Sequence, residues 1–430
     1  MYELISFVLL LGIGILLLSA FLFYPVSPQG SLDNLFDDDL IIFLQKYIQI
    51  NTSHPHPHYK EALNFLKKNS EADGFSYQEI KLPSGGTVAV ISYLGSDEKL
   101  PTLLLNHHLD VVPAEAEQWT HKPFAGAIKD GRIIGRGAQD MKGIGAVHYG
   151  ALRKMKLQGI KLRRTIHLAA VPDEELGGFT GTKEFIASAA FERLNVGFVL
   201  DEGHASGDAH ALDIKVAERK VVQIEIVGEG EASHGSLLQS SNAIHQLVEV
   251  LFGFVAIHNE QRKKIGATQA GELLSCNITS LIAGARKKDG SANLNVIPKI
   301  AQATVDIRIP PAYKQEEIIQ FFHTQISKIA GVNFTILAQS NEECAMHNFQ
   351  GTMLYGALKN AIEYFNLQAR PHFFEASSDL RFYWARGLEG VGLTPFTCKD
   401  TIHKNDEFVP IDQLIFGRDL FFHFLKDFCL

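Results

Sequence analysis

The chain has 430 residues, of which 46% are hydrophobic and 20% are charged, and its formal net charge is -8 at pH 7. This length suits two folded domains plus an appendage. The negative charge and the lack of any basic stretch argue against nucleic-acid binding, and no glycine-rich phosphate loop is present. The four cysteines lie far apart and form no CxxC pair, which argues against a thiolate zinc site.

The N-terminal residues 1–24 differ in composition from the rest of the chain. Residues 4–23 form an uninterrupted run of apolar and small residues, long enough to cross a bilayer as a helix. We therefore predict an uncleaved transmembrane anchor and a membrane localisation, with residues 25–40 as a polar linker to the folded body. The alternative is a cleaved signal peptide of a secreted protein. The run is longer than a usual signal core and no Lys or Arg precedes it, which favours the anchor.

The flanks of this run say little about which side of the membrane carries the folded body. Neither flank has a Lys or Arg before Lys46, so the positive-inside rule favours neither orientation. Glycosylation triplets at Asn51, Asn277 and Asn333 favour a lumenal or extracellular catalytic domain, although such triplets also arise by chance.

Helix and strand patterns alternate through the first part of the body, residues 41–213. Short, apolar, β-rich runs at 102–106, 165–171 and 196–200 are typical of buried strands. Between the first two, residues 142–157 carry apolar side chains at helical spacing. This alternation predicts an α/β fold with a mostly parallel sheet flanked by helices.

A second pattern occupies residues 214–340. Its predicted order is β-α-β-β-α-β, and its clearest strand, residues 299–309, alternates apolar and polar side chains. That order is typical of a small ferredoxin-like α+β unit. Inserted here, the unit interrupts the α/β domain, which resumes over residues 341–430.

Several polar side chains follow the predicted strands directly. His108 and Asp110 stand two residues apart at the end of the first strand and would share one face, whereas His107 faces away. An imidazole beside a carboxylate is the pairing that fixes a zinc-binding tautomer, although a structural histidine is the simpler interpretation of this pair alone. Asp140 precedes the helix at 142–157, where it either caps that helix or reaches into a cleft.

Carboxylates also end the next two strands. Glu174 and Glu175 follow the strand at 165–171, and Asp201 and Glu202 follow the strand at 196–200. Taken alone, the first pair also fits a solvated acidic turn. Three neighbouring strands that end in such side chains predict a convergent site, and the mixture of nitrogen and oxygen donors favours zinc or a similar first-row metal over calcium.

Beyond these patterns, the chain resembles the aminoacylase-1 branch of the co-catalytic zinc exopeptidases, relatives of acetylornithine deacetylase and glutamate carboxypeptidase. The likeness runs from about residue 43 to the C-terminus. The motifs that carry it are LLLNHHLDVVP (103–113), GRGAQDMKG (135–143), RTIHLAAVPDEELGG (164–178), LDEG (200–203), ASHGS (232–236), NVIP (295–298), DIRIPP (306–311), SSDLRFY (377–383) and IHKNDE (402–407).

The resemblance implies a zinc-exopeptidase-like fold in which the inserted unit is a lid and dimerisation domain. It also implies two Zn²⁺ per subunit, bridged by Asp140. The implied ligands are His108, Asp140 and Glu202 for one metal and Asp140, Glu175 and His403 for the other.

Further roles follow from the same resemblance. Glu174 would be the general base, and Asp110 would orient His108. His234 would reach the site of a neighbouring subunit and stabilise the oxyanion, which implies a homodimer. Asn295 and Arg308 would lie near the substrate carboxylate, and Asp379 would line the pocket.

The implied activity is hydrolysis of N-acyl-L-amino acids to a free L-amino acid and a carboxylate. A dipeptidase or carboxypeptidase on the same scaffold would share these residues, and a catalytically inactive binding module is the alternative from another class. The relatives compared are soluble, so the apolar N-terminal run departs from their pattern and leaves a cytoplasmic location as a further alternative.

Overall fold

The structure, a computed structural model, describes residues 32–346 and 348–430. The α-helices of these residues are α1 (Leu32–Gln49), α2 (Tyr59–Ala72), α3 (Lys142–Leu157), α4 (Thr182–Ile186), α5 (Ala189–Arg193), α6 (Ala243–Arg262), α7 (Gln315–Ile326), α8 (Met353–Tyr364), α9 (Leu380–Ala385) and α10 (Ile411–Cys429). The strands are β1 (Ser76–Lys81), β2 (Thr87–Tyr93), β3 (Thr102–His108), β4 (Ala127–Lys129), β5 (Arg132–Ile134), β6 (Ile166–Val171), β7 (Val196–Asp201), β8 (Ala211–Glu218), β9 (Lys220–Glu229), β10 (Ser233–His234), β11 (Ser275–Ile282), β12 (Val296–Ile297), β13 (Ile300–Ile309), β14 (Val332–Gln339), β15 (Gln368–Phe374), β16 (Glu389–Leu393) and β17 (Phe408–Pro410).

The larger sheet has eight strands in the order β1-β2-β6-β3-β7-β16-β8-β15. The run from β6 through β16 is parallel, and Leu105 of β3 lies opposite both Leu168 of β6 and Leu200 of β7. The pairs β1-β2, β2-β6 and β16-β8 are antiparallel. Helices α1 and α10 both pack against α3. The predicted α/β class with a mainly parallel sheet is therefore confirmed.

The central strands are buried along their whole length, which explains their apolar sequences. Every residue of β3 and of β6 is buried, and each fully buried Leu side chain contributes about 1.5–3 kcal/mol to folding. Because β3, β6 and β7 are mutually parallel, their carboxyl ends meet at one edge of the sheet. The polar residues that follow these strands are thus brought together.

A second, four-stranded antiparallel sheet has the order β11-β13-β9-β14. With α6 and α7 inserted, its elements follow one another as β-α-β-β-α-β. The alternation predicted for β13 matches its burial, since every second residue from Ala301 to Ile309 is buried. These elements enclose a hydrophobic cluster of their own. The predicted boundary at residue 214 falls inside β8, which belongs to the larger sheet, so the chain leaves that sheet after Glu218.

The predicted linker at residues 25–40 is corrected over its second half. Helix α1 begins at Leu32, and its buried residues Leu40 and Leu44 pack into the main core. Two acidic residues of this segment form ion pairs with distant arginines. Asp37 accepts a 2.6 Å hydrogen bond from Arg418, and Asp39 accepts a 2.8 Å hydrogen bond from Arg153.

The predicted transmembrane run, residues 4–23, lies outside the described residues. Among residues 32–346 and 348–430, none of the helices combines the length and apolar character that a membrane crossing requires. The four cysteines are free, and Cys276, Cys344 and Cys429 are buried.

Candidate metal centre

Five polar side chains converge at the carboxyl edge of the larger sheet. His108 ends β3, Glu175 lies in a single 3₁₀ turn after β6, and Glu202 follows β7 directly. Asp140 precedes α3, and His403 comes from the loop between β16 and β17. This edge is where open α/β sheets place their ligands.

The first group consists of His108, Asp140 and Glu202. The Nε2 atom of His108 lies 2.9 Å from Oδ1 of Asp140 and 3.8 Å from Oε2 of Glu202. All three side chains are buried. One ligand atom of each lies within 4.8 Å of the other two, which is the spacing needed around a single ion.

The second group uses the other oxygen of Asp140. The Nε2 atom of His403 lies 3.2 Å from Oδ2 of Asp140 and 3.2 Å from Oε2 of Glu175. Asp140 therefore faces one group with each of its carboxylate oxygens. Two imidazoles and three carboxylates, arranged as two sets with one shared carboxylate, fit a pair of zinc-like ions.

Crowding of these carboxylates shifts their proton affinities. Burial and the neighbouring charge of Asp140 raise the pKa of Glu202 to about 7 and also raise the pKa of Glu175. Hydrogen bonds that His403 donates to Asp140 and Glu175 raise the pKa of His403 to about 10. Burial and neighbouring negative charge thus act together on this cluster, and bound cations would offset that charge.

Glu174 stands beside this cluster without belonging to either group of three. Burial raises the pKa of its carboxyl well above the usual value, and the charge of Glu202 adds to the rise. A carboxyl group with a raised pKa is suited to taking up and releasing a proton.

Asp110 contacts His108 differently from the prediction. The Nδ1 atom of His108 is 2.8 Å from the backbone oxygen of Asp110 and 3.6 Å from its carboxylate. That carboxylate instead accepts hydrogen bonds from the backbone amides of Glu174, at 3.1 Å, and Glu175, at 3.0 Å. Asp110 thus orients the turn that carries the two glutamates.

His54, for which no role was predicted, also contacts Asp110. Its Nε2 atom lies 3.0 Å from Oδ2 of Asp110, and the adjacent Tyr59 donates a 2.8 Å hydrogen bond to Asp173. The hydrogen bond to Asp110 raises the pKa of His54, and burial opposes this rise. Three histidines within residues 54–58 were the only signal in the sequence.

Glu407, the last residue of the IHKNDE motif, also supports the cluster, although no role was predicted for it. Its carboxylate accepts hydrogen bonds from the backbone amides of Gln139, at 2.8 Å, and Asp140, at 3.1 Å. Arg136 donates a 2.7 Å hydrogen bond to the other oxygen of Glu407. Met141, not Asp140, occupies the N-cap position of α3, so the capping role considered for Asp140 is wrong. Glu407 and Arg136 instead fix the backbone from which Asp140 reaches the cluster.

His234, Asn295 and Arg308 lie on the smaller sheet and its connections. The Nε2 atom of His234 is 3.3 Å from the amide nitrogen of Asn295. Arg308 binds Asp306 through Nε and Nη2, at 2.7 and 3.2 Å. Within the described residues, no hydrogen bond or ion pair joins these three side chains to the metal-ligand cluster.

Asp379 is buried rather than open to a pocket. It accepts a 2.6 Å hydrogen bond from Thr182, and its Oδ1 atom lies so close to Gly178 that a side chain there would meet it at 2.0 Å. Burial and the charge of Asp201 raise its pKa to about 7. The structure places Asp379 behind the turn that carries Glu174.

Comparison with known proteins identifies the family. Residues 104–427 match the profile of Peptidase family M20/M25/M40. This chain belongs to family M20. It is similar to aminoacylase-1 of Mus musculus, with 30% identity over 89% of this chain and 93% of that protein, and to aminoacylase-1 of Dictyostelium discoideum, with 30% identity over 91% and 97%.

Solved structures of family M20 share the fold. The M20 metallo-carboxypeptidase Sso-CP2 of Sulfolobus solfataricus superposes with a TM-score of 0.70 at 18% identity, covering 91% of this chain and 99% of that chain. The YXEP protein of Bacillus subtilis, described as a dinuclear metal binding peptidase, has a TM-score of 0.63 at 15% identity and covers 92% and 98%. These comparisons confirm the predicted aminoacylase-1 branch and a hydrolase of amide bonds, and they support metal dependence at the level of the family.

The same comparisons correct the predicted membrane localisation. The aminoacylase-1 relatives that match about nine-tenths of this chain offer no support for a membrane anchor. The prediction rested on one apolar run without informative flanks, and such a run does not by itself distinguish an anchor from other N-terminal segments.

Proposed function

We propose that this M20 chain is a zinc-dependent aminoacylase, which hydrolyses the amide bond of N-acyl-L-amino acids to a free L-amino acid and a carboxylate. The observation that carries the proposal is the pair of ligand groups that share Asp140, with Glu174 beside them. The aminoacylase-1 relatives supply the substrate class.

Five residues would hold the metals. His108, Asp140 and Glu202 would bind one Zn²⁺, and Asp140, Glu175 and His403 the other. When bound, the two ions would polarise the acyl oxygen and lower the pKa of the attacking water. The carboxylate of Asp110, which accepts hydrogen bonds from the backbone amides of Glu174 and Glu175, would hold the turn of these two residues in position beside the metals.

Glu174 would act as the general base and then as the general acid. Its carboxylate would take the proton of the attacking water and pass it to the amine that leaves. The raised pKa of Glu174 suits both halves of this exchange, because the group has to accept and release a proton in one turnover.

The residues on the smaller sheet would complete the site from a second subunit. His234, which lies beside Asn295, would stabilise the tetrahedral oxyanion, and Arg308 would bind the substrate carboxylate near Asn295. Asp306 occupies Nε and Nη2 of Arg308, which leaves Nη1 for this anion. The proposal therefore includes a homodimer in which the inserted unit, now bounded by residues 219–340, serves as lid and contact domain. Asp379 would support the pocket by holding Thr182.

A substrate panel tests the proposal. The purified chain is loaded with zinc, and kcat/KM is measured for N-acetyl-L-methionine, for longer N-acyl methionines and for dipeptides that end in methionine. We expect the N-acyl amino acids to be hydrolysed at least about tenfold more efficiently, since a factor of ten corresponds to only 1.4 kcal/mol of transition-state binding. A preference for the dipeptides would replace the aminoacylase with a peptidase on the same scaffold.

A further inference from the structure

A third cluster of potential metal ligands lies beside the centre described above but shares no residue with it. It consists of His204, which comes two residues after Glu202, Asp213 of β8 and His372 of β15. Strands β8 and β15 are parallel neighbours, so Asp213 and His372 come from adjacent strands of the larger sheet. One ligand atom of each side chain lies within 4.8 Å of the other two.

The distances inside this cluster fit coordination better than hydrogen bonding. The Nε2 atom of His204 is 3.6 Å from Oδ2 of Asp213, which exceeds the usual length of an N–H···O bond. Two ligands of one tetrahedral zinc ion are separated by about 3.3–3.5 Å, given metal–ligand bonds of about 2.0–2.2 Å. The Nε2 atom of His372 is buried, and within the described residues it has a 3.4 Å contact with the carboxylate of Glu375 but no well-directed hydrogen bond.

A fourth group stands within reach of the same space. The carboxylate of Glu375 is 3.4 Å from Nε2 of His372, and its side chain is 41% exposed. It can therefore turn toward an ion without losing a buried contact. Glu375 or a water molecule would fill the fourth position.

The surroundings hold two of these ligands in place. Arg370 donates a 2.7 Å hydrogen bond to Oδ1 of Asp213, which leaves Oδ2 on the side of His204. Arg370 also donates a 2.8 Å hydrogen bond to Asp208, and the negative charge of Asp208 offsets the positive charge of the guanidinium. The ring of His204 is stacked on Phe374 with 20° between the planes. Such support of the ligands is typical of built metal sites.

We propose that His204, Asp213 and His372 form a third, structural site for Zn²⁺ or a similar first-row divalent cation. Two imidazoles and one carboxylate are a donor set that such ions prefer. The ion would tie the loop after β7 to the outer strands β8 and β15. Because none of its ligands belongs to the binuclear centre, its loss would leave hydrolysis intact.

Zinc content tests the proposal. The full chain and its His372→Gln variant are stripped with a chelator, reloaded with Zn²⁺ and dialysed, and zinc per subunit is measured by elemental analysis. We expect His372→Gln to hold one zinc fewer per subunit than the unchanged chain and to keep its hydrolytic rate. The expected result is the difference in zinc content between the variant and the unchanged chain, so it does not depend on how completely the binuclear centre is filled.

His423→Gln is the matched control. The ring of His423 contacts that of Tyr364, and its Nε2 atom, like that of His372, is 3.4 Å from a carboxylate, that of Asp427. It belongs to none of the ligand clusters of the described residues. Its zinc content should equal that of the unchanged chain.

Asp213→Asn is a second variant that preserves the fold, because the amide oxygen still accepts the bond from Arg370. It should lose the same zinc ion as His372→Gln. Equal zinc content in the unchanged chain and both variants would overturn the proposal. Loss of zinc from His423→Gln as well would also overturn it, since the loss would then not be specific to this cluster.

Discussion

The Nε2 atom of His54 lies 3.0 Å from Oδ2 of Asp110, and the same oxygen accepts the backbone amide of Glu175 at 3.0 Å. His54 thus supports the residue that positions the turn carrying the proposed base. It acts on that turn through Asp110, so we regard it as a positioning residue.

Replacing His54 with leucine removes this support. We expect His54→Leu to lower kcat by about 10- to 100-fold with little change in KM, which is typical for partners of residues that orient a metal site. Steady-state kinetics on N-acetyl-L-methionine measures the effect. His54→Gln, which keeps a donor near the position of Nε2, should recover part of the loss.

The exposed His56, two residues further on, provides a control. His56→Leu should behave as the unchanged chain. A His54→Leu variant with unaltered kcat would show that Asp110 holds the turn without help from His54.

Glu174→Gln tests the proposed base directly. The amide keeps the shape of the side chain but cannot accept a proton, so hydrolysis should fall by about 10²- to 10⁴-fold. Metal analysis should give an unchanged zinc content, because Glu174 belongs to neither ligand group. The exposed Glu117 offers the control substitution Glu117→Gln. Activity of Glu174→Gln close to that of the unchanged chain would refute the proposed mechanism.

Mixing of two inactive variants tests whether His234 acts across a dimer. In a mixed dimer of His234→Ala and Glu174→Gln subunits, one site would combine an intact Glu174 with an intact His234. About a quarter of the normal activity should return after unfolding and refolding the two together, since half of the dimers are mixed and each has one complete site. No recovery would place His234 in the site of its own subunit or outside the reaction.

Removal of metal should weaken the fold as well as the activity. Without cations, Asp140, Glu175 and Glu202 are left in a crowded, partly buried space. One ion at a concentration of 100 times its Kd stabilises the native state by about 2.7 kcal/mol. Chelation should therefore lower the melting temperature and abolish hydrolysis, and added zinc should restore both. An unchanged melting temperature after complete removal of metal would contradict this account.

The buried His148 predicts a specific sensitivity to acid. Neither ring nitrogen has a hydrogen-bond partner among the described residues, and burial lowers its pKa from 6.5 to about 3. Because the unfolded chain binds a proton near pH 6.5 and the folded chain does not, stability falls as the pH drops below about 6.5. Between pH 7 and pH 5 the loss from this one group is about 2 kcal/mol.

His148→Leu, which is close in volume and cannot be protonated, should remove that part of the loss. Urea unfolding at pH 7 and pH 5 measures the difference for both proteins. Equal acid sensitivity of His148→Leu and the unchanged chain would show that His148 is protonated in the folded state.

The parts of the fold that follow from local patterns were predictable. Helix α3 begins and ends at the predicted residues, since its apolar side chains recur at the spacing of one buried face. Strands β3 and β6 were recognisable because burial on both faces requires a continuous apolar run. The acidic residues at the start of α1 misled the prediction, because their partners Arg153 and Arg418 are distant in the sequence.

The same difference between local patterns and contacts distant in the sequence explains which residues of the site could not be predicted. The acidic strand ends were visible, as each follows its strand directly. The supporting contacts were not: Arg136 and Glu407 are 271 positions apart, and His54 and Asp110 are 56 positions apart. No periodicity links such residues, so only the folded chain reveals the pairs.

The bond between Glu407 and the backbone at Asp140 has a consequence for biosynthesis. Asp140 is made in the first half of the chain, whereas Glu407 and His403 are added close to its end. A nascent chain can begin to fold from its N-terminal side during translation, but the backbone at Asp140 lacks its hydrogen bond to Glu407 until residues 403–407 have been made. The proposed metal ligands can therefore take up their observed arrangement only late in synthesis.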